Sequence, residues 1–144
     1  MARTLQKLRT SIDGSVIVEF ALLAPLFIGL FMGVLQVGVG MQNYNALRGI
    51  SGDVARVAVI NYQSDTRLTT SQLQDIANST ATQAPYGLVR SRFTAAVSTA
   101  ATQRVTGAVE YTLTLTYNVP TMLNVIGVDE IPISFTRPIF VIGA

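Results

Sequence analysis

Gly14-Ser-Val-Ile-Val-Glu19-Phe20-Ala-Leu-Leu-Ala-Pro25-Leu-Phe-Ile-Gly29-Leu-Phe-Met-Gly33-Val-Leu-Gln-Val-Gly-Val-Gly-Met41 is the stretch on which the architecture turns. From Phe20 to Leu47 the chain runs for 28 residues without a formal charge, and the first 22 of these, as far as Met41, are almost wholly apolar. At about 1.5 Å per helical residue those 22 reach roughly 33 Å, which matches the ~30 Å hydrocarbon core of a bilayer. The stretch reads as a membrane-spanning helix. Its anomaly is Glu19, a carboxylate at the very start of the apolar run, which would cost at least ~2.5 kcal/mol if drawn unpaired to the bilayer centre.

Around this span the composition narrows the function. The chain has 144 residues, no cysteine and no histidine, so it offers neither a thiol nucleophile nor the commonest general base and metal ligand. Arg3, Lys7 and Arg9 stand against Asp13 alone before the span. After Gly14, seven arginines (48, 56, 67, 90, 92, 104, 137) balance seven acids (Glu19, Asp53, Asp65, Asp75, Glu110, Asp129, Glu130). A nucleic-acid partner therefore has no electrostatic support. The basic residues ahead of the span, with none after it until Arg48, place residues 1–14 in the cytoplasm and export the rest by the positive-inside rule.

The junction before the span is unusual. An ordinary secretory signal is cut after its apolar region, and Gly38-Val39-Gly40 could serve as such a late site, but the run is long for an h-region of ~7–15 residues. Here the candidate small residue, Gly14, precedes the run. A cut after Gly14 would make Ser15 the first residue and Glu19 the fifth. An acid one helical turn from the new amine can neutralise it, on its own chain or on a neighbour, and so set the axial register of adjacent helices. The bland alternative is that Glu19 snorkels to water at the interface. Within the span Ala21, Pro25, Gly29 and Gly33 recur every four residues, and Gly29-x-x-x-Gly33 lets another helix approach closely. Glycine is also frequent in membrane helices generally. Pro25 leaves the Ala21 carbonyl without its helical partner.

The basic leader, Gly14-Ser15-Val16-Ile17-Val18-Glu19-Phe20, Pro25 and the immediate span together resemble the processing region of type IV prepilins. More narrowly, they resemble the TadE/TadG-like minor pilins or pseudopilins of the tight-adherence (Tad, or Flp) pilus system. The resemblance covers residues 12 to about 45. It implies cleavage after Gly14 by a prepilin peptidase, Glu19 as the register residue, and Ala21, Pro25, Gly29 and Gly33 as a face for other helices. It also implies major and minor pilins, the inner-membrane assembly machinery and membrane lipid as partners, and no cofactor.

Beyond Met41 apolar residues keep helical spacing at Tyr44, Leu47, Ile50, Val54, Val57 and Ala58, so the helix is expected to continue as an amphipathic stem. Gly49 and Gly52 weaken it by ~1 kcal/mol each relative to alanine. Asn61–Thr69 reads as a loop. Ser71 with Gln74 fits a capping box, opening a second helix whose apolar face is Leu73, Ile76, Ala77, Thr80 and Ala81 and which ends before Pro85-Tyr86-Gly87.

From Leu88 the period falls to two. A strand over Val89, Phe93, Ala95 and Val97 is expected to pair as a hairpin with a longer one. That second strand places Val105, Gly107, Val109, Tyr111, Leu113, Leu115, Tyr117 and Val119 on its dry side. Glu110 falls on the wet side, opposite Arg90 and Arg92, and Tyr111 and Tyr117 belong to the core. Met122–Val128 is a short connection. A last strand from Ile131 to Ile142, carrying Pro132 and Pro138, belongs at a sheet edge.

Asp129 and Glu130 with Asp53 or Asp65 lack the spacing of a calcium loop, and there is no phosphate loop or nucleophile motif. No active site and no metal site follows. The expected class is α+β and pilin-like, with a long N-terminal helix packed on about three antiparallel strands and one extra helix. Its parts are a cytoplasmic leader (1–14), a transmembrane helix (15–41) and an exported stem and domain (42–144). The reading is a bacterial inner-membrane protein with its domain in the periplasm, processed and used in pilus assembly or priming. Its first competitor is an uncleaved single-pass protein with a periplasmic binding domain. An exported hydrolase is the second, disfavoured by the missing histidine and cysteine.

Overall fold

A computed structural model describes residues 12–64, 66–124 and 127–142. Most of the expected leader, up to Ser11, lies outside the described residues, as do Asp65 and part of the 122–128 connection. The chain divides into two compact units, residues 1–37 and 38–144. Helix α1 (Ile12–Gln63) enters both, and is followed by α2 (Thr70–Thr82), a 3-10 turn (Arg90–Arg92), β1 (Phe93–Thr99), β2 (Ala108–Pro120) and β3 (Glu130–Ile142). The class is α+β.

In the second unit the sheet order is β1-β2-β3, all antiparallel, with β2 central. Strand alternation puts odd-numbered residues of all three strands on one face, because the register pairs Phe93 with Tyr117, Leu115 with Phe135 and Tyr111 with Ile139. That face is the dry one. Phe93, Ala95, Leu113, Leu115, Tyr117, Val119, Ile139 and Val141 are buried in one core with Leu47, Ile50, Val54 and Ala58 of α1 and Leu73, Ala77 and Ala81 of α2. Both helices thus cover the same side of the sheet, and the three- and four-residue spacing of the α1 set is the geometry that allows it.

The two stem glycines mark where other parts of the unit come closest to α1. A Cβ built on Gly49 would lie 2.6 Å from the Tyr86 ring, and one on Gly52 would lie 3.7 Å from Arg137 Nη1. The Tyr86 hydroxyl donates to Asp53 Oδ2 at 2.8 Å. Burial and the Asp53 carboxylate both raise its pKa.

The sequence placed the cap of α2 at Ser71; the structure puts it two residues earlier. Gln72 N–H donates to Thr69 Oγ1 at 3.3 Å, and Thr69 N–H donates to Gln72 Oε1 at 2.9 Å, completing the box. Both Thr69-x-x-Gln72 and Ser71-x-x-Gln74 satisfy the motif. The earlier start also sets Leu68 and Leu73 at the two positions of a hydrophobic staple, and both pack in the core. Gln74, released from capping, donates to Ala95 O at 2.6 Å.

The hairpin also differs in detail. Residues 90–92 form a 3-10 turn rather than strand, with Arg90 Nη1 donating to Phe93 O at 3.1 Å. Val105 and Gly107 belong to the connecting loop, where Gly107 takes φ 81°. Tyr111 is half-buried against the core rather than within it. Glu110 is not wet: it is only 4% exposed. The reason is that the hairpin loop folds back over the outer face of the sheet. Arg104 donates to the Glu110 carboxylate through Nε at 2.8 Å, through its backbone N–H at 3.3 Å and through Nη2, and Glu110 N–H donates to Gln103 Oε1 at 2.6 Å. The Arg104 guanidinium lies 5.1 Å from the centre of the Phe140 ring. Arg92 pairs instead with Glu130 at 3.4 Å, an exposed contact of small energetic weight.

Two outcomes are expected. Gly49→Ala lowers thermal stability, although helix propensity alone would raise it by ~1 kcal/mol, because the methyl displaces Tyr86 from Asp53; Tyr86→Ala in the same background restores the propensity gain. The hydrogen bonds from Arg104 hold the Glu110 carboxyl below the usual glutamate range. Its contribution is therefore full above about pH 4.3 and is lost as pH falls through the lower folded value. The stability difference between wild type and Glu110→Gln, measured by thermal melts, shrinks from pH 7 to pH 3.

Candidate functional site

The first unit is described only from Ile12 onward, and there it is α1 alone. The N-terminal apolar part of α1 has a mean hydropathy of 2.3 over its membrane-length window, none of which is buried. Phe20, Leu22, Leu26, Phe27, Leu30, Phe31 and Val34 are each at least 60% exposed. A helix apolar on all sides and uncovered on all sides cannot rest in water, and its length and composition fit a bilayer span. The chain thus carries a membrane-anchoring helix near its N terminus.

Gly14, which is exposed, and the backbone of Ser15 lie inside the first turns of α1. Glu19, also exposed, lies one turn beyond Ser15. The helix runs unbroken through Pro25. Pro25, Leu26, Gly29, Leu30, Gly33, Val34 and Val37 line a groove of about 680 Å³ along the helix. Nothing lies within 4 Å of a Cβ built on Gly29 or Gly33, so the groove is a backbone-level shelf.

Three of the four expected packing residues, Pro25, Gly29 and Gly33, line this groove together, while Ala21 does not. The groove begins at Pro25, one turn beyond Ala21. Sequence reading passed over Gln36, the one amide side chain between Phe20 and Met41. It is only 7% exposed and hydrogen-bonded or otherwise engaged. An isolated amide in a span is the signal that would have singled it out.

Of the acids weighed for a cation, Asp53 is held by Tyr86 and Glu130 by Arg92. Asp65 lies outside the described residues.

Residues 14–56 match the family model described as TadE-like protein. This segment is similar to that family. The match begins at Gly14, takes in Glu19 and the whole groove, and ends at Arg56 within the stem. No curated protein and no solved structure matched the chain. The match leaves the whole sheet outside the matched region.

Filling the shelf tests its role. Gly29→Leu with Gly33→Leu is expected to leave thermal unfolding unchanged within about 0.5 kcal/mol, since no neighbour is displaced. The same pair lowers helix association several-fold when labelled chains are followed by energy transfer in lipid vesicles.

Proposed function

We propose that this chain is a minor pilin or pseudopilin of the Tad/Flp system, processed by prepilin peptidase and used in assembling or priming the pilus for surface adherence. The observation that carries the reading is the TadE-like match opening on Gly14 and running through Glu19 and the exposed apolar face. On this reading residues 1–14 are a cytoplasmic leader, 15–41 span the inner membrane and 42–144 are exported to the periplasm. The chain is then a substrate of an enzyme and not itself one.

Each site residue has a physical task. Gly14 places no side chain at the scissile bond, and its low helix propensity eases opening of the first turns of α1 for a peptidase. The cut frees an ammonium on Ser15 at the positive end of a helix, where the macrodipole opposes it. Glu19, one turn on, supplies the compensating charge, from its own chain or from a neighbour. The groove over Pro25, Gly29 and Gly33 seats a second apolar helix from a major or minor pilin or from the assembly machinery. A domain of this size suits an initiating or tip-like subunit better than a bulk filament subunit.

The deciding experiment is intact mass and N-terminal sequencing of the chain from cells with and without prepilin peptidase. A mature start at Ser15 that depends on the peptidase and is lost in Gly14→Leu is expected. A Met1 or Ala2 start in both strains would replace the reading with an uncleaved anchor carrying a binding domain. A start near Met41 would make Glu19 a bystander in an ordinary secreted protein.

A further inference from the structure

The sheet has two edges, and they are treated differently. Ala100 N–H donates to Glu110 O at 2.8 Å, so even-numbered residues of β2 turn their backbone groups toward β1 and odd-numbered ones toward β3. By the register, odd residues of β3 answer them. The even residues of β3, from Pro132 to Phe140, therefore turn their backbone groups to the free edge.

On β1 the first two of the corresponding outward carbonyls are taken. Phe93 O accepts from Arg90 and Ala95 O accepts from Gln74 of α2. No side-chain hydrogen bond of this kind closes the β3 edge among the described residues. Pro132 and Pro138 offer no N–H there, and between them Ser134 and Thr136 present both donor and acceptor. The result is a short open window bracketed by two prolines.

Beside this window lies a concentration of positive charge. Arg48, Gly52 and Arg56 are four residues apart and so share one side of α1, and Arg137 of β3 reaches over Gly52 with Nη1 3.7 Å from a Cβ built there. Arg48 and Arg137 line one cleft of about 610 Å³ with Asn45 and Phe135, and Arg56 and Arg137 line a second of about 540 Å³. Among the described residues none of the three arginines has an ion pair. Asp53, the adjacent acid on the helix, is turned to Tyr86. Like charges gathered without a counterion raise the energy of the fold, and an incoming carboxylate relieves it.

We propose that the free edge of β3 accepts an extended acidic segment of a partner protein as a fourth strand, its carboxylates meeting Arg48, Arg56 and Arg137. Every second side chain of such a strand projects toward α1, into the two clefts. Those side chains step by about 6.8 Å, against about 6 Å for four helical residues, so alternate carboxylates follow the arginine row. A second copy of this chain does not fit, because β3 against β3 would bring two such arginine groups together while Asp53 and Glu130 of each copy are engaged by Tyr86 and Arg92.

The proposal is independent of pilin processing. It is tested on the full chain in detergent micelles with fluorescent seven-residue peptides, one alternating glutamate with valine and one alternating lysine with valine. Saturable binding of the glutamate peptide alone is expected. Arg137→Gln weakens it by about tenfold, and so does N-methylation of the peptide at alternate backbone nitrogens, a change that leaves the protein untouched. Equal binding of both peptides, or of neither, overturns the proposal. So does indifference to N-methylation, which would mean surface charge attraction without strand pairing, and so does a dimer of the chain that the glutamate peptide dissociates, which would make a second copy the occupant.

Discussion

A three-stranded sheet with one apolar face must have that face covered, and in residues 38–144 this requirement organises everything else. Phe93, Leu113, Leu115, Tyr117, Val119, Ile139 and Val141 cannot be left to water, and among the described residues two α-helices shield them. α2 alone is too short. The stem part of α1 supplies Leu47, Ile50, Val54 and Ala58, each at most 4% exposed. The apolar N-terminal stretch and the stem that walls the core are consequently parts of one helix, Ile12–Gln63, and its residues answer to two environments in turn. From Phe20 to Leu35 the helix is apolar on every side; from Leu47 it is apolar on one side only.

The opposite face of the sheet obeys a different rule. It is rich in threonine, and Thr114 and Thr136 share a hydrogen bond across β2 and β3 at 3.1 Å. At one end the hairpin loop returns over it and buries Glu110, whose charge is tolerated only because Arg104 meets it with three donors. Buried Glu110 fixes where the loop lies, through its bonds with Arg104 and its backbone bond to Gln103.

Much of this was legible from periodicity. The switch from spacing of three and four to spacing of two, read from Leu88, reports the passage from helix to sheet although β1 opens only at Phe93, and the prolines at 132 and 138 report an edge. What stayed hidden depended on contacts distant in sequence. Thr69 and Ser71 both open valid capping boxes, and only the packing of Leu68 and Leu73 decides between them. Glu110 follows the polar alternation of β2, yet a loop that alternation cannot foresee covers it. Gly49 and Gly52 read as weak points of a helix, because nothing in their neighbours announces that Tyr86 and Arg137 come to rest there. Within the span, the spacing of four that sets Pro25, Gly29 and Gly33 along one groove was readable.

The bare patch at Gly49 also has a mechanical meaning. With the Tyr86 ring lodged against the backbone and its hydroxyl tied to Asp53, the stem cannot slide lengthwise by a turn without bringing Asn45 or Asp53 beneath the ring, where a Cβ leaves no room. A pull along the helix is therefore loaded in shear across this notch and the adjoining core, and is shared by many contacts at once. The geometry resists tension far better than it would resist a peeling force applied to the end of α1.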